Sequence, residues 1–177
     1  MRLLVFLSCA SLLSAQSYTI TTYAGGAPPP TPIQATALPL QIQGVAAAGG
    51  DVYFTAANAV LQVDNTGLMT RLAGNGRTTG ASATLPAGAS VPALNVQFNS
   101  AQGVSVDRAG NLYISDQGTS YVWKLTPDGK MTIVAQAAAG GWPNVAATAT
   151  DPNGTVYLGN GTYVYRVGSD GSAHRDE

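Results

Sequence analysis

Three stretches of the chain carry the same short alternation of apolar and polar positions: DVYFT at 51–55, NLYIS at 111–115 and TVYLG at 155–159. Each is followed by a second alternating run, VLQVD from Val60, VWKLT from Val122 and VYRVG from Val164. Successive side chains of a strand point to opposite faces, so a period of two predicts strands with one face buried. An apolar piece precedes each pair: GVAAAGG, GVSVDRAG and VAATATDPNG. Glycines fall between the runs, at Gly50, Gly110 and Gly154 and again at Gly67, Gly129 and Gly171, with Asp or Asn close by. Tight hairpins place such residues where φ is positive. The first two copies leave through a further strand, LMTRLAG and KMTIVAQ.

Each copy therefore reads as four short antiparallel strands in meander order, and no sustained helical period occurs beyond the N-terminal apolar run. The expected class is all-β. A four-stranded unit returning every 40 to 60 residues or so, here centred on Tyr53, Tyr113 and Tyr157, is the signature of a β-propeller blade. The reading gives about three blades, over 44–74, 103–136 and 145–174. TITTYAGG, near 18–25, matches the last strand of a blade, with Tyr23 at the place of Leu72 and Ala24 at that of Ala73. It has no first three strands of its own. The third copy, in contrast, ends in SAHRDE, with Arg175 and Asp176 where the second has Ile133 and Val134, and is expected to lack its fourth strand. Closed propellers take about four to eight blades, and three would leave two apolar faces open. Two explanations stand: a piece of a longer reading frame, or a homodimer that completes the ring.

The middle copy, GVSVDRAGNLYISDQGTSYVWKLTPDGKMTIVAQ, resembles an NHL-type repeat of exported bacterial proteins, in which GVAVD..GNLYIAD precedes a V.K strand and a G.ITTVAG strand. The resemblance covers about residues 18–174, and the connection from Leu72 to Val104 is similar to the long glycine-rich link between NHL blades. The chain departs from the pattern at Ala47, Thr148 and Gly159, and its link lacks the acidic GDGG, so the resemblance implies no ion site there. It implies a binding or scaffolding role with protein or glycan as partner. Some exported propellers similar to this one are lyases or lactonases, which carry metal-binding His, Asp or Glu around the central channel. A fragment of such an enzyme, with its catalytic blades elsewhere, is the alternative.

Composition narrows the picture further. Of 177 residues 45% are apolar, enough for a core, and only 10% are charged, against roughly 25% in ordinary globular chains. A net charge of −1 with eight scattered Lys and Arg offers no basic stripe for nucleic acid and no basic amphipathic run for a membrane surface. Arg2, the run LLVFLSCASLL and LSA before Gln16 read as a signal peptide over 1–15, which predicts a secreted or periplasmic protein over 16–177. Cleavage there removes Cys9, the one cysteine, so neither disulfides nor thiolate chemistry are expected.

Catalytic chemistry has few candidates. There is no G-x-S-x-G, and the one histidine, His174, sits near the end, so no Ser–His–Asp set is expected. One histidine and no mature cysteine argue against zinc or copper. Calcium could use Asp and Asn oxygens, but aspartates at turns ordinarily cap their own backbone. Neither a cofactor nor catalysis by this chain is expected. In a four-strand meander the loops after strands two and four emerge together. That face holds Asp116, Gln117 and Tyr121 in the second copy, Asn160 and Tyr163 in the third, and Trp142 in a link. These six are the candidate binding residues, while Tyr53, Tyr113, Tyr157 and Trp123 are expected to pack between blades.

Overall fold

The computed structural model describes residues 32–37, 39–77, 85–86, 88–136, 145–151 and 153–175. The signal peptide expected at 1–15, the strand expected over 18–25 and Trp142 lie outside these residues. Among the described residues no helix is long and apolar enough to cross a membrane.

Fourteen strands of the described residues form three antiparallel sheets. The first comprises β1 (Ile33–Gln34), β2 (Ile42–Ala48), β3 (Asp51–Ala56), β4 (Ala59–Val63) and β5 (Leu68–Ala73), in the order β1-β5-β4-β3-β2. The second comprises β6 (Val91–Pro92), β7 (Ala101–Val106), β8 (Leu112–Asp116), β9 (Tyr121–Leu125) and β10 (Lys130–Gln136), in the order β6-β10-β9-β8-β7. The third runs β11 (Ala147–Thr150), β12 (Val156–Gly159), β13 (Val164–Val167) and β14 (Ala173–Arg175) in sequence order.

Two details differ from the sequence expectation. The first two sheets gain a fifth, outermost strand from the link that precedes them: Ile33 lies opposite Met69 and Val91 opposite Met131. Each such strand runs into a 3-10 turn, Ala35–Ala37 or Ala93–Asn95, and Pro92 is tolerated because an edge strand can forgo one donor. The second difference is a correction. The third copy does have a fourth strand, with Val167 paired to Ala173, Arg166 to His174 and Tyr165 to Arg175. Its polar composition hid it, but an outermost strand can pair its backbone while His174 and Arg175 stay exposed.

Three of the hairpin turns share one local solution. At Asp64, Asp107 and Asp151 a carboxylate oxygen accepts from the backbone N–H groups two and four residues on, over 2.8 to 3.0 Å. The following glycines, Gly67, Gly110 and Gly154, sit at φ of 83°, 82° and 85° and donate back to the aspartate carbonyl. A side chain would be strained at that φ, which is why D-x-x-G recurs.

Inner strands β2, β7 and β11 lie side by side, and their closeness depends on glycine. A Cβ on Gly44 would stand 2.5 Å from the Gln102 carbonyl oxygen, and one on Gly103 would stand 2.7 Å from the Thr148 amide nitrogen. The ladder slips by a bulge at both places, and a hydroxyl from the second strand takes up the displaced donor. Gly44 N–H donates to Thr55 Oγ1 at 3.0 Å and Gly103 N–H to Ser115 Oγ at 2.8 Å. Thr55 in turn donates to the Gln102 carbonyl, tying the first sheet to the second.

Apolar side chains fill the spaces between sheets. Between the first and second lie Val60, Phe98, Ile114, Trp123 and Met131, with Trp123 edge-on to Phe98 and Tyr121. Between the second and third lie Tyr113, Val122, Val145 and Leu158. Tyr53, Tyr113 and Trp123 thus pack between sheets, whereas Tyr157 is half-buried on the far side of the third. The far face of the first sheet is partly closed by the chain's own link, since Ile33, Ala35 and Leu40 pack on Phe54, Leu61 and Met69. Nearer the inner edge Ile42, Val45 and Val52 remain exposed.

Candidate binding surface

Local hydrogen bonding decides the roles of the candidate residues on the face where loops follow the second strands. Asp116 ends β8 and is fully buried. Its carboxylate accepts from the backbone N–H of Ser100 at 2.6 Å and of Asn99 at 3.0 Å, pinning the incoming link just before β7. Gln117 donates its backbone N–H to the Ser100 carbonyl at 2.9 Å, and its side chain is half-buried. Tyr121 starts β9 only 8% exposed and packs its ring against Trp123. In the second copy, then, the aspartate and tyrosine build the loop's foundation, and Gln117 alone of the three reaches solvent in part.

The third copy places a different set at the surface. Asn160 follows β12, and its Oδ1 accepts from the backbone N–H groups of Thr162 at 3.1 Å and Tyr163 at 2.9 Å. Gly161, at φ 86°, allows the turn this cap needs. Asn160 Nδ2 donates to the Tyr165 hydroxyl at 3.4 Å. Tyr163 is 45% exposed, with Tyr165 edge-on at 6.4 Å between centroids. The Arg175 guanidinium lies over the Tyr163 ring, 4.4 Å from its centroid, a cation–π distance. An amide, two tyrosines and an arginine thus meet around one half-open ring.

Sequence reasoning reached Asn160 and Tyr163 but missed Tyr165 and Arg175. Tyr165 lies two residues beyond Tyr163 in an alternating run, and Arg175 comes only through the unexpected β14. Among the described residues no three His, Cys, Asp or Glu side chains gather as metal ligands do. Further along the same face, a cleft of about 380 Å³ lies between the first two sheets, beside Leu40, Gln43, Asn58 and Gln102. Asn58 Oδ1 accepts from Ala101 N–H there at 3.4 Å.

No family model and no curated protein matches the chain by sequence. Solved structures do match by fold. Virginiamycin B lyase from Staphylococcus aureus superposes with a TM-score of 0.54 at 14% identity, covering 83% of this chain and 44% of that one. A streptogramin B lyase gives 0.53 at 15% identity, covering 82% and 41%. A nidogen–laminin complex gives 0.55 at 16% identity, covering 76% and 47%. The fold is that of a β-propeller. The three sheets are its blades, the strands β2, β7 and β11 are their inner strands, and the chain spans less than half the length of the propellers it matches.

Proposed function

We propose that this chain is a binding segment of an exported β-propeller of the NHL type, and that it engages a protein or glycan without itself performing catalysis. The observation that carries the reading is the Tyr163 cluster. A half-exposed aromatic ring, flanked by a second tyrosine, backed by an arginine and held by a capped asparagine loop, has the chemistry of recognition. Tyrosine and arginine contribute large contact area and directed donors at interfaces, and the flat face of an exposed tyrosine suits the apolar face of a sugar. Gln117 lies on the same loop face and extends the surface, and Trp142 is assigned to it by sequence.

Fold carries no function by itself, since propellers host many, and the structures this chain resembles include lyases and nidogen alike. The competing reading, a segment of a metal-dependent propeller lyase or lactonase, predicts turnover that requires a divalent cation and blades outside this chain. The binding reading predicts retention on immobilised polysaccharides or a defined protein probe in the presence of EDTA. Substituting Tyr163→Ala should weaken that retention at least tenfold while leaving the circular dichroism unchanged. Retention that vanishes with EDTA, or is indifferent to Tyr163→Ala, would remove the support for this surface.

A further inference from the structure

The loop-face cleft between the first two sheets, about 380 Å³ in volume, opens where the first copy lacks bonds that close the second. In the second copy the link before the inner strand is locked twice. The Asp116 carboxylate collects the N–H groups of Asn99 and Ser100, and the Asn99 side chain donates to the Gly118 carbonyl at 3.2 Å. Gly118 belongs to the turn 117–120 between β8 and β9, packed so closely that a Cβ on it would meet Asn99 at 2.6 Å. The first copy has neither lock. Ala56 stands in the place of Asp116, since it pairs with Ile42 as Asp116 pairs with Ala101. The turn between β3 and β4 is reduced to Ala57 and Asn58. Gln41, which precedes Ile42 as Ser100 precedes Ala101, meets no carboxylate and no long loop.

The amides left over converge on this cleft. Among the described residues the side chains of Gln41 and Gln43, both in its lining, have no hydrogen-bond partner. Gln43 sits where the ladder shifts between Ile42 and Gly44, and a bulge turns its extra residue away from the strand pairing. Gln102 holds the same place in the second copy, directly before Gly103, and lines the same cleft. Its Nε2 donates to Ser100 Oγ at 3.0 Å, which leaves its amide oxygen to accept. Asn58 Oδ1 accepts from Ala101 N–H at 3.4 Å, which leaves its Nδ2 to donate. Two inner strands, a link and a turn thus each bring a carboxamide to one space.

Charge is absent from the lining, which contains no titratable side chain. Apart from the buried Asp116, the described carboxylates lie in or beside the turns at the other end of the strands: Asp51, Asp64, Asp107, Asp128, Asp151 and Asp170. A charged ligand would give up water here without gaining a counter-charge. A carboxamide donates and accepts at once, which is what a neutral hydroxyl also does. An extended peptide would be matched by a row of backbone groups along a sheet edge, whereas these amides surround a cleft. Pro39 and Leu40 add an apolar wall, and the volume falls within the roughly 300–1,000 Å³ of small-molecule sites.

We propose that the cleft between the first and second blades binds a neutral sugar unit of an oligosaccharide. Its hydroxyls meet the carboxamides of Gln41, Gln43, Asn58 and Gln102, and the C–H face of its ring lies against Leu40. The cleft is a site apart from the Tyr163 ring, so either can fail alone. Its test is a calorimetric titration of the full chain with maltose, cellobiose and lactose, using glucuronate and end-blocked triglycine as controls. At least one disaccharide should bind, about tenfold or more tighter than glucuronate and with an affinity indifferent to salt. Gln41 and Gln43 are exposed, so Gln41→Ala and Gln43→Ala keep the fold, and each should weaken binding about fivefold through a lost hydrogen bond. Asn58→Gly should weaken it too while keeping the turn, because glycine accepts the φ of 54° found there. Tyr163→Ala should leave it unchanged. Failure of all three disaccharides to bind would overturn the proposal, as would equal binding of glucuronate or of triglycine. Disaccharide binding that survives Gln41→Ala and Gln43→Ala but is lost with Tyr163→Ala would also overturn it, by assigning the sugar to the other surface.

Discussion

At the scale of single residues, the same letter does opposite work according to where the ladder puts it. Asp64, Asp107 and Asp151 cap their own turns, whereas Asp116, at the end of a second strand, reaches a link seventeen and sixteen positions earlier, at Asn99 and Ser100. A fully buried carboxylate with backbone donors cannot be removed cheaply, because Asn99 and Ser100 would be left with unsatisfied amides beside a void. Asp116→Ala should therefore cost about 2–3 kcal/mol, read as a lowered urea midpoint with an unchanged slope. A loss below about 0.5 kcal/mol would show that the link is held by its apolar anchors, Val96 and Phe98, and not by the carboxylate. The sequence distinguishes these aspartates only in part. D-x-x-G announces a self-capping turn through the glycine's positive φ, and alternation along the unbroken β8 puts Asp116 on the face of Leu112 and Ile114, but nothing in the local letters says that its donors, the amides of Asn99 and Ser100, come from the preceding link.

At the scale of elements, the hairpin turns predict a loss of stability in acid. Hydrogen bonds hold the carboxyls of Asp64, Asp151 and Asp170 below the ordinary range: chiefly from the Thr66 hydroxyl, the Thr155 amide and the Ser172 hydroxyl respectively. For Asp107 burial pushes upward, yet the combined donors from Asn111, Tyr113 and Ala109 outweigh it and the carboxyl is also lowered. A folded pKa below the unfolded value of about 3.9 contributes stability that is present above that value and lost as pH falls through the folded one. Urea midpoints should thus be flat from about pH 5 to 8 and decline below about pH 4. A decline already complete at about pH 5 would point away from these turns. The inner strands make a second prediction. Gly103 is needed for close approach and not for its φ, so Gly103→Ala should force β7 and β11 apart and cost about 1–3 kcal/mol by overpacking. In the β2–β3 turn, Gly49→Ala or Gly50→Ala would strain the backbone instead, at φ of 63° and 93°.

The elements themselves were legible to unequal degrees. The eight strands of the first two meanders show in the alternation and its glycine punctuation, because half-buried strands impose a period of two. The two-residue strands β1 and β6 have no room to display a period, and β14 displays a polar one. The cleft between the second and third sheets was not legible at all, because the residues that line it, such as Lys124, Val167 and Gly168, come together only when adjacent blades pack.

At the scale of the whole molecule, the inner edge of the first blade stands open among the described residues, with Val45 60% exposed and Ile42 52%. Within the chain, the corresponding face of the second blade is covered by the first, and that of the third by the second. A second copy, seating its first blade on the third blade of its partner, is the simplest candidate for a closed ring. The residues at the join oppose it. Gly44 and Gly103 each accept a following inner strand at a spacing where a Cβ would come within 2.5 to 2.7 Å of backbone. The third copy has Ala147 at that place, paired opposite Gly159 as Gly44 and Gly103 stand beside Thr55 and Ser115. At the same spacing the Ala147 methyl group would strike the partner's inner strand near Gly44, and backbone cannot yield as a side-chain tip can. Light scattering on the full chain should therefore report a monomer. Ala147→Gly removes the obstacle and should promote dimerisation if the remaining surfaces of the two blades, Val164 and Arg166 against Val45 and Val52, are complementary. A wild-type dimer that Ala147→Gly does not strengthen would mean that the blades meet at a wider spacing than either interface within the chain.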